Sequence, residues 1–582
     1  MAGYQFYRAL YAGDNWKITN KLTLNLGLRY DLPGPWSERY NRLTYFNPSV
    51  VNQTVTGCGR SPGGNSCPGD LFLVGTGVNT SRNSLPLDKH QFMPRLGIAY
   101  SINPKTVIRS GYGIFFIPNF VSFGVNPYID PVASSTDPFF ASNNGGLTPA
   151  STLNASGCTL VAPGNLQCTT TPGPFGATLV VPPGRNPQPN SSGYALNTQN
   201  FSATGYTIQK NGYVQQWNFG IQRELPWGFF ADVAYAGAHG VHLPLFNPNI
   251  NQIGDGFVSQ AASQAAQGLT PTIAQVVPIA NYPFSQNLPG SLGPGNLKQG
   301  QLDRAFPQYT GLNLNGYGCC GSTYNSLQVS VQRRFQGGGT VLIAYTNAKL
   351  LGTADDLTSW LEGGSSGTGG VAGIQDWNNP SGDRSLASQD VAQRLVISYA
   401  LDLPFGHGKK YGSSLTGVAG RLASGWGVDG FTTFTSGFPL KITYGGSTQF
   451  YSLGLTGNST LRPNFVAGCH GASPASGDAK LNQWFNTACF TVPPEWGYGT
   501  EARVDPHLRQ DGPKNFDFAI SKQTTFGPGE RMGLQFRTEF FNLFNTPLFG
   551  PPNTTLGSPN FGVVTATRYN PRLIQFALKF TF

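Results

Sequence analysis

Charged side chains and long apolar runs are both scarce in this chain. Asp, Glu, Lys and Arg together make up 11% of the 582 residues, whereas they form roughly a quarter of an ordinary soluble domain. No run of apolar residues approaches the roughly 18 needed to cross a bilayer as a helix. The sequence therefore argues against a typical soluble domain and against a helical membrane protein.

Conditions that favour helices are also lacking, because glycine and proline are abundant. The chain contains 76 Gly and 44 Pro residues, and aromatic side chains reach 13%. Glycine and proline both disfavour helix interiors, so this composition indicates a β-rich fold. The mean hydropathy of −0.20 is compatible with strands that are apolar on one face only.

Recognisable catalytic and metal-binding patterns are missing as well. The eight cysteines include no C-x-x-C pair, and no histidine, acid and nucleophile can be assigned to a common site. We therefore expect no enzymatic activity, no cofactor and no structural metal.

The clearest positive signal is the alternation of the last ten residues, 573–582. Ile574, Phe576, Leu578, Phe580 and Phe582 fall on one face, and polar or small residues fall on the other. A terminal strand with one apolar and one polar face is typical of a barrel with lipid outside and water inside.

Alternating segments recur along the whole chain and predict thirteen strands. They come in pairs that are joined mostly by short turns. The predicted strands are 4–18 with 21–31, 91–102 with 106–117, 212–225 with 228–243, 323–335 with 340–351, 391–403 with 422–440, 516–526 with 532–544, and 573–582 alone.

Long segments separate the pairs. Short turns at one end and long loops at the other are the signature of an antiparallel transmembrane β-barrel, and so we predict an all-β fold of this kind as a single domain. The one longer connection on the short-turn side, 404–420, carries the basic cluster His407 to Lys410. The predicted extracellular loops are 32–89, 118–211, 244–321, 353–389, 443–511 and 546–572.

Thirteen is an odd number, whereas bacterial single-chain barrels have even strand numbers and place both ends in the periplasm. We therefore expect this chain to begin in mid-barrel, as the C-terminal part of a barrel of about 22 strands. A protein of the outer membrane also needs a signal peptide, which the first ten residues do not resemble, so Met1 is not expected to be the natural start.

Six motifs in fixed order carry a family resemblance. The chain resembles the TonB-dependent receptors of the Oar type, in which a carboxypeptidase-regulatory-like domain and a plug precede a large barrel. The resemblance covers most of the chain outside the loops, and this sequence has no counterpart of the two N-terminal domains. The motifs are Tyr11-Ala-Gly-Asp-Asn-Trp-Lys17, Leu22-Thr-Leu-Asn-Leu-Gly-Leu-Arg-Tyr30, Trp217-Asn-Phe-Gly-Ile-Gln-Arg-Glu-Leu225, Tyr324-Asn-Ser-Leu-Gln-Val-Ser-Val-Gln-Arg-Arg-Phe335, Leu403-Pro-Phe-Gly406 and Phe536-Arg-Thr-Glu-Phe-Phe-Asn-Leu-Phe-Asn545.

The resemblance implies a location in the bacterial outer membrane and a set of partners. These are the outer-membrane assembly machinery, the TonB complex acting through the absent N-terminal part, and an unidentified extracellular ligand. The resemblance also implies that the assembly machinery reads the C-terminal aromatic residues Phe580 and Phe582 as its signal. The net charge of +10 and the pI near 9.1 favour attraction to anionic lipopolysaccharide or to an acidic ligand. The basic residues are dispersed along the chain, which disfavours nucleic-acid binding.

All eight cysteines fall in predicted loops, and none falls on a predicted strand. An even number in the loops of an exported protein predicts disulfides, and the expected local pairs are Cys58 with Cys67, Cys158 with Cys168, and Cys469 with Cys489. Neighbouring cysteines rarely bridge each other, so pairing outside the loop is the other option for Cys319 and Cys320, and the sequence does not specify their partner. Metal binding is the less favoured alternative, with His470 as the nearest histidine.

Six charged residues lie on the polar faces of predicted strands. A charge facing the bilayer centre costs about 2–4 kcal/mol, whereas a watery or plug-filled lumen tolerates it. We expect these residues to face the lumen, where they form ion pairs that support a plug; contact with the ligand is the alternative. They are Arg29, Arg95, Arg109, Asp232, Arg537 and Glu539.

Three functions are compatible with these features. The favoured one is the barrel of an outer-membrane receptor or transporter for TonB-dependent uptake of an unidentified substrate. A passive porin-like or secretion-associated channel is the first alternative. A secreted all-β adhesin or carbohydrate-binding protein, with its apolar faces packed together, is the least favoured.

Overall fold

A large antiparallel sheet organises the molecule, as a computed structural model shows. Its description covers residues 3–35, 37–38, 43–52, 55–58, 66–75, 81–83, 85–117, 158–162, 165–168, 200–205, 211–245, 249–285, 290–314, 317–336, 338–353, 374–456, 461–527, 529 and 531–582. Among these residues no helix is long and apolar enough to cross a membrane.

Thirteen strands follow one another in chain order across the sheet, and each pairs antiparallel with the next. The count agrees with the sequence prediction, and the pairing is that of an up-and-down barrel wall. The strands are β1 (Tyr7–Lys17), β2 (Leu22–Pro33), β3 (Phe92–Asn103), β4 (Thr106–Phe116), β5 (Tyr213–Leu225), β6 (Phe229–Leu245), β7 (Tyr317–Arg334), β8 (Gly339–Gly352), β9 (Gln393–Asp402), β10 (Trp426–Thr435), β11 (Lys514–Phe526), β12 (Met532–Phe541) and β13 (Leu573–Thr581).

The two outermost strands of this sheet, β1 and β13, do not pair with each other. The sheet is therefore open along a gap between the first and the last strand, as the odd strand number predicts. Both strands run from the long-loop end to the short-turn end, because twelve antiparallel steps separate them. Direct closure between them would need parallel pairing, which up-and-down barrels of this kind do not use.

Side chains alternate between the two faces of the sheet, and the register pairs the apolar residues of one strand with the apolar residues of the next. Leu24 pairs with Ile98, and Leu26 pairs with Leu96, whereas Gly27 on the opposite face pairs with Arg95. Because paired residues share a face, the strand-by-strand register continues one apolar and one polar face across all thirteen strands.

Two strands differ most from their predicted boundaries. The strand predicted at 422–440 is shorter, because a helix at Gly417–Ala423 precedes it and the strand runs only over Trp426–Thr435. β7 begins at Tyr317, within the predicted loop 244–321, because its first residues still pair with Leu243 to Leu245 of β6. This register contains a bulge between Gly240 and Leu243, a feature that periodicity does not reveal.

The six longer connections between strand pairs all leave the same end of the sheet, and the described parts contain ordered elements. One mixed sheet joins Gly311–Leu314, Asn200–Gly205, Thr44–Val51 and Pro68–Leu73, and Ser385–Leu386 pairs with β8. The other short strand pairs are Gly3–Tyr4 with Ser37–Glu38, Cys158–Ala162 with Asn165–Cys168, Thr443–Tyr444 with Thr555–Leu556, and Asn464–Phe465 with Phe490–Thr491.

Helices are few and short. The α-helices are α1 (Asp255–Ala266), α2 (Gln299–Leu302), α3 (Gly417–Ala423) and α4 (Gln449–Ser452). Of the α-helices in the described part of the chain, only α3 lies at the short-turn end, between β9 and β10. The 3-10 turns are Pro226–Gly228, Thr272–Ala274, Ile279–Asn281, Pro283–Ser285, Gly290–Leu292, Pro380–Asp383, Gly477–Asn482 and Thr487–Cys489.

Candidate functional site

The apolar face of the sheet is bounded by aromatic rings at both ends. At the loop end, Tyr30 stacks on Phe92 with ring centroids 4.5 Å apart. Tyr100 lies on the same face of the same strand as Phe92, eight residues further on, which corresponds to about 27 Å along the strand. At a tilt of about 40°, this spacing spans roughly 20 Å, close to the apolar band of outer-membrane barrels.

The same spacing occurs on the other side of the sheet, where Trp426 and Phe434 bound the apolar face of β10. Phe434 contacts Phe516 of β11 at the loop end, with centroids 5.2 Å apart, and Phe526 contacts Phe580 at the turn end at 6.0 Å. The exposed apolar side chains of this face therefore form a band limited by aromatic residues, which is the surface that a bilayer covers.

The register places all six predicted charges on the polar face, opposite this band. Gly27 pairs with Arg95, and Arg95 with Gly113; Arg109 pairs with Gly220. Continuing across the sheet, Gln222 pairs with Asp232, and Ala519 pairs with both Asp429 and Glu539. The charges are thus spread over most of the width of the sheet and do not form one compact site.

Most of these charges have partners close by. Arg29 Nε lies 2.7 Å from Asp31 Oδ1, and Gln222 donates to Asp232 over 2.9 Å. Arg537 contacts Glu539 at 2.7 Å and Asp429 at 3.0 Å. Because the Arg537 and Asp429 side chains are more than a third exposed, such pairs are worth at most about 1 kcal/mol each. Their geometry fits a solvated, charge-balanced surface.

Small residues open a depression on the polar face between β3 and β7. Arg95 lies over the ring of Phe115, 4.9 Å from its centroid, and a Cβ atom at Gly113 would come within 2.9 Å of that ring. Glycine at this position therefore makes room for the stack. The depression has a volume of about 400 Å³, and its lining includes Arg95, Gly113, Phe115, Asn218, Ala238 and Tyr324.

The long connections pack against one another to form a loop assembly with its own apolar cores. The largest core joins the segments 43–75 and 249–314, and others join 249–285 with 443–508, and 440–508 with Phe561. The sequence predicted these segments only as long extracellular loops and gave no sign of this packing. The largest core includes Phe46, Val55, Cys58, Cys67, Leu71, Tyr282, Phe284, Leu292, Leu297, Leu302, Phe306, Tyr309, Leu312 and Leu314.

A buried arginine ties two of these segments together. Arg304 is 1% exposed, and its guanidinium donates to the carbonyl oxygen of Thr310 over 2.6 Å and to that of Gly454. Burial lowers the pKa of Arg304 to about 10. Backbone carbonyls stabilise the cation here, since an unsolvated charge without hydrogen bonds would be costly.

An ionic cluster lies between the loop assembly and the strand ends. Arg462 pairs with Asp383, and both side chains are almost fully buried. Arg503 donates to the carbonyl oxygens of Gly352 and Leu386 over 2.8 and 3.2 Å, which attaches the segment after Thr500 to the end of β8. Burial, followed by the charge of Asp505, raises the pKa of the neighbouring Glu501 to about 8.

Disulfides join Cys58 to Cys67 and Cys469 to Cys489, the local pairs expected from the spacing. Cys158 and Cys168 are register partners in a short hairpin, and their side chains lie outside the described part of the chain. The prediction that no cysteine falls on a strand is wrong, because this hairpin carries Cys158 and Cys168 and β7 carries the other pair.

The structure bonds Cys319 to Cys320, rather than to a partner outside the loop. Both residues lie in the extension of β7 that pairs with β6. Cys320 packs with Ile374 and Trp377 in a small core. The sequence left the partner of these two residues open, and the structure gives the adjacent pairing that sequence reasoning disfavoured.

The C-terminal aromatic residues project from the edge of the sheet. Phe580 lies on the apolar face beside Leu534, and its ring stacks on Phe582 at 5.9 Å. The side chain of Phe582 is 98% exposed. It therefore contributes almost no packing to the sheet, and any requirement for it must come from a role other than stabilising the folded sheet.

No group of three or more metal-ligating side chains occurs among the described residues. On the polar face, the described ion pairs are those of Arg29 with Asp31 and of Arg537 with Asp429 and Glu539.

Comparison with known proteins identifies a family. The sequence model of the family described as outer membrane beta barrel domain matches residues 1–575. A search of curated proteins gives no match.

Solved structures that are similar to the chain include outer-membrane transporters and receptors. The outer membrane transporter YddB from Escherichia coli is 9% identical, with a TM-score of 0.39, and the match covers 100% of this chain and 54% of that one. The ferric citrate transporter FecA in its unliganded form is 8% identical, with a TM-score of 0.36, and the match covers 100% of this chain and 45% of that one. The ferric yersiniabactin uptake receptor FyuA from Yersinia pestis is 9% identical, with a TM-score of 0.34, and the match covers 99% of this chain and 44% of that one.

This chain spans about half the length of these proteins. Its matched family is one of outer-membrane barrels and not of enzymes. Alternating strands, an apolar band between aromatic residues, a polar face with balanced charges and the match over residues 1–575 lead to one conclusion: the chain belongs to the outer membrane beta barrel domain family and is a protein of the bacterial outer membrane.

Proposed function

We propose that this chain forms the barrel part of an outer-membrane receptor that takes up an unidentified substrate with energy from the TonB complex. The observation that carries the proposal is the structural difference between the two ends of the sheet. Extended, packed loops with ordered cores lie at one end, and mostly short turns lie at the other.

A folded loop assembly supports a receptor more than a simple pore. Loops with buried cores and two described disulfides hold a fixed shape, which is what selective capture of a ligand requires, because preorganisation lowers the entropic cost of binding. The loops 32–89, 118–211, 244–321, 353–389, 443–511 and 546–572 would be extracellular in this orientation.

The polar face fits a lumen that contains another protein segment. Three described ion pairs lie on it, and glycine and alanine line the depression near Arg95, where a second surface can approach closely. In the proposed receptor, a plug from the remainder of the protein occupies this side, and lumen ion pairs support it. Ligand contact at Arg95 or Arg109 is the alternative role for these charges.

A passive channel remains the second candidate, because an outer-membrane barrel with a charged polar face is also the architecture of a porin. A secreted adhesin is not supported, since the matched family is an outer-membrane one.

Electrical recordings distinguish the receptor from the channel. The purified full-length protein is inserted into planar bilayers in KCl, and its conductance is measured. A plugged receptor is expected to show little steady conductance, whereas a passive channel gives open-pore currents at once. Steady currents of porin size would contradict the proposal.

Substrate capture gives the matching positive test. Cells that carry the full-length protein are incubated with spent culture medium, and depletion of small molecules is followed by mass spectrometry with and without a functional TonB complex. Energised uptake predicts depletion of a specific compound only when TonB is active. Depletion that does not depend on TonB would favour the passive channel.

A further inference from the structure

One connection at the short-turn end differs from all the others there. Residues 403–425, the basic insert, join β9 to β10 and fold back on themselves. The backbone N–H of Tyr411 donates to Pro404 O over 2.9 Å, and that of Gly406 donates to Tyr411 O over 2.8 Å. The side chain of Ser424 receives the N–H of His407 and donates to Gly420 O over 2.7 Å. The insert is therefore a defined substructure.

Apolar side chains of the basic insert point into solvent. Leu415, Val418 and Leu422 recur at helical spacing along and before α3, and Val418 and Leu422 are 76% and 64% exposed. Phe405 and Tyr411 contact each other at 5.8 Å, and both are about half exposed. An exposed apolar stripe on a short helix is unfavourable in water and is typical of an element in the membrane interface.

The structure anchors α3 from the membrane side of the sheet. Trp426 and Lys522 are register partners on the apolar face. Lys522 Nζ donates to the carbonyl oxygens of Arg421 and Ser424 over 2.8 and 2.6 Å, and Trp426 Nε1 donates to Leu422 O over 2.9 Å. The end of α3 thus lies next to the lipid-covered band and not only at the mouth of the barrel.

The charge of the basic insert has one sign. Residues 403–425 contain Lys409, Lys410 and Arg421 and no Asp or Glu. Between the insert and the end of β11 lies a cavity of about 580 Å³, whose lining includes His407, Thr416, Arg421, Ser424 and Thr525. Basic and hydroxyl groups beside exposed apolar side chains match a ligand with an anionic head and an acyl tail.

We propose that the basic insert binds an anionic phospholipid of the adjacent leaflet. Val418 and Leu422 enter the boundary between head groups and acyl chains, while Lys409, Lys410 and Arg421 attract the lipid phosphate, with the cavity near Arg421 receiving the head group. Continuity with the apolar band and the absence of acidic residues in the insert support a lipid over a protein partner. This inference requires only the membrane location of the family, so it stands apart from energised uptake.

Native mass spectrometry of the full-length protein in an uncharged detergent tests the proposal. Phosphatidylglycerol and phosphatidylcholine are titrated separately, and bound lipid is counted. Three basic side chains, each adding roughly fivefold at an anionic surface, are expected to give at least a tenfold preference for phosphatidylglycerol. The triple change K409Q/K410Q/R421Q should abolish that preference. Equal binding of the two lipids by the unchanged protein would overturn the proposal.

Two further variants test whether the preference for phosphatidylglycerol arises at the basic insert or from the positive charge of the protein as a whole. The matched control K21Q/K105Q removes exposed lysines from two other short turns at the same end, and it should keep the preference. The change V418S/L422S should weaken binding of phosphatidylglycerol severalfold while charge selection persists. Loss of the preference in the control, or full affinity in V418S/L422S, would contradict docking at the insert.

Competition and folding controls complete the test. Soluble glycerol phosphate is added at the same concentration as the lipid, and it should displace little phosphatidylglycerol because it lacks acyl chains. Displacement equal to that by lipid would overturn the assignment to a lipid. A difference in migration between unheated and heated samples on SDS gels shows that a variant keeps its folded sheet. Current or uptake measurements report separately on the proposed receptor function.

Discussion

Arg537 on β12 reaches across the intervening strand β11 to Asp429 on β10, and the two side chains meet with Nη1 3.0 Å from Oδ2. Asp429 lies beside Ala519 in the register, whereas Arg537 lies beside Ser521, two positions further along β11. The guanidinium side chain thus crosses β11 diagonally, past the side chains of Ala519 and Ser521. We expect this path to depend on the small size of both residues.

Replacing Ala519 tests whether the approach of Arg537 to Asp429 needs a small side chain at this position. Ala519→Leu should block the approach of Arg537 to Asp429 and lower the unfolding temperature of the purified protein more than Asp429→Asn does. The direct loss of the half-exposed pair in Asp429→Asn is expected to cost less than about 1 kcal/mol, whereas overpacking at the almost buried Ala519 costs about 1–3 kcal/mol. An effect of Ala519→Leu no larger than that of Asp429→Asn would contradict the expected overpacking at this position.

The buried pair of Arg462 and Asp383 should behave differently. Arg462→Met leaves the carboxylate of Asp383 buried without its cation, and breaking such pairs costs about 3–5 kcal/mol. The loss should appear as faster hydrogen exchange in residues 374–390 and 461–508, with the strands of the sheet unchanged. Arg537→Met, at the exposed pair, is the matched control. Uniformly slow exchange in Arg462→Met would contradict a structural role.

Glu501 should make the loop assembly sensitive to pH. Its folded pKa is raised from the usual 4.5 to about 8, by burial and then by Asp505, so the folded state retains a proton that the unfolded state releases. Stability from this group is complete below about pH 4.5 and is lost progressively as the pH rises towards 8. Protease resistance of residues 461–508 is therefore expected to fall between pH 5 and pH 8.5.

The change Glu501→Gln, which fixes the neutral form, should flatten this pH dependence. Glu224→Gln, at an exposed position on β5, is the control and should leave the dependence unchanged. A loss of resistance with rising pH that persists in Glu501→Gln would assign the effect to another group.

Orientation is testable with tags at two glycines that have open space around them. Gly268 follows α1 in the loop assembly, and Gly408 lies in the basic insert; both have a positive φ and no atom within 4 Å of an added Cβ. An epitope inserted after Gly268 should be labelled on intact cells, and one after Gly408 should be labelled only after the outer membrane is opened. The reverse pattern would invert the proposed topology.

The end of the chain allows assembly to be separated from stability. Because Phe582 is 98% exposed, Phe582→Ser should leave the unfolding temperature of protein that has already been inserted unchanged. The amount inserted should nevertheless fall, if the assembly machinery reads the aromatic residue. Quantifying the protein in washed outer membranes measures this, with Phe405→Ser at the same end of the sheet as control. Unchanged levels would remove Phe582 from the signal.

Much of the sheet could be predicted because its information is local. The alternation from Leu22 to Tyr30 specifies which face of β2 is apolar, whatever its neighbours are, and the short turn at Asn103 to Lys105 specifies the antiparallel pairing of β3 with β4. The strand count and the gap between the first and last strands follow from the same pattern.

The loop assembly could not be predicted in this way. Its cores join residues such as Phe46 and Phe306, whose rings lie 5.0 Å apart although 260 positions separate them in the sequence. No local period connects such residues, and glycine-rich composition predicts exposed loops whether or not they pack. The helix α3 was missed for a related reason, since Gly417 and Gly420 weaken its signal and its support comes from Lys522 and Trp426 on the sheet.

The sequence alone therefore determined which residues face lipid and which face the polar side, because a strand has a period of two and each face needs one kind of solvent. Only the tertiary structure decided that Arg537 finds Asp429 across β11, that Cys319 bonds to Cys320, and that Arg304 joins two loops through backbone carbonyls. These contacts depend on distances between segments far apart in the chain, and those distances are fixed only when the whole sheet brings the segments together.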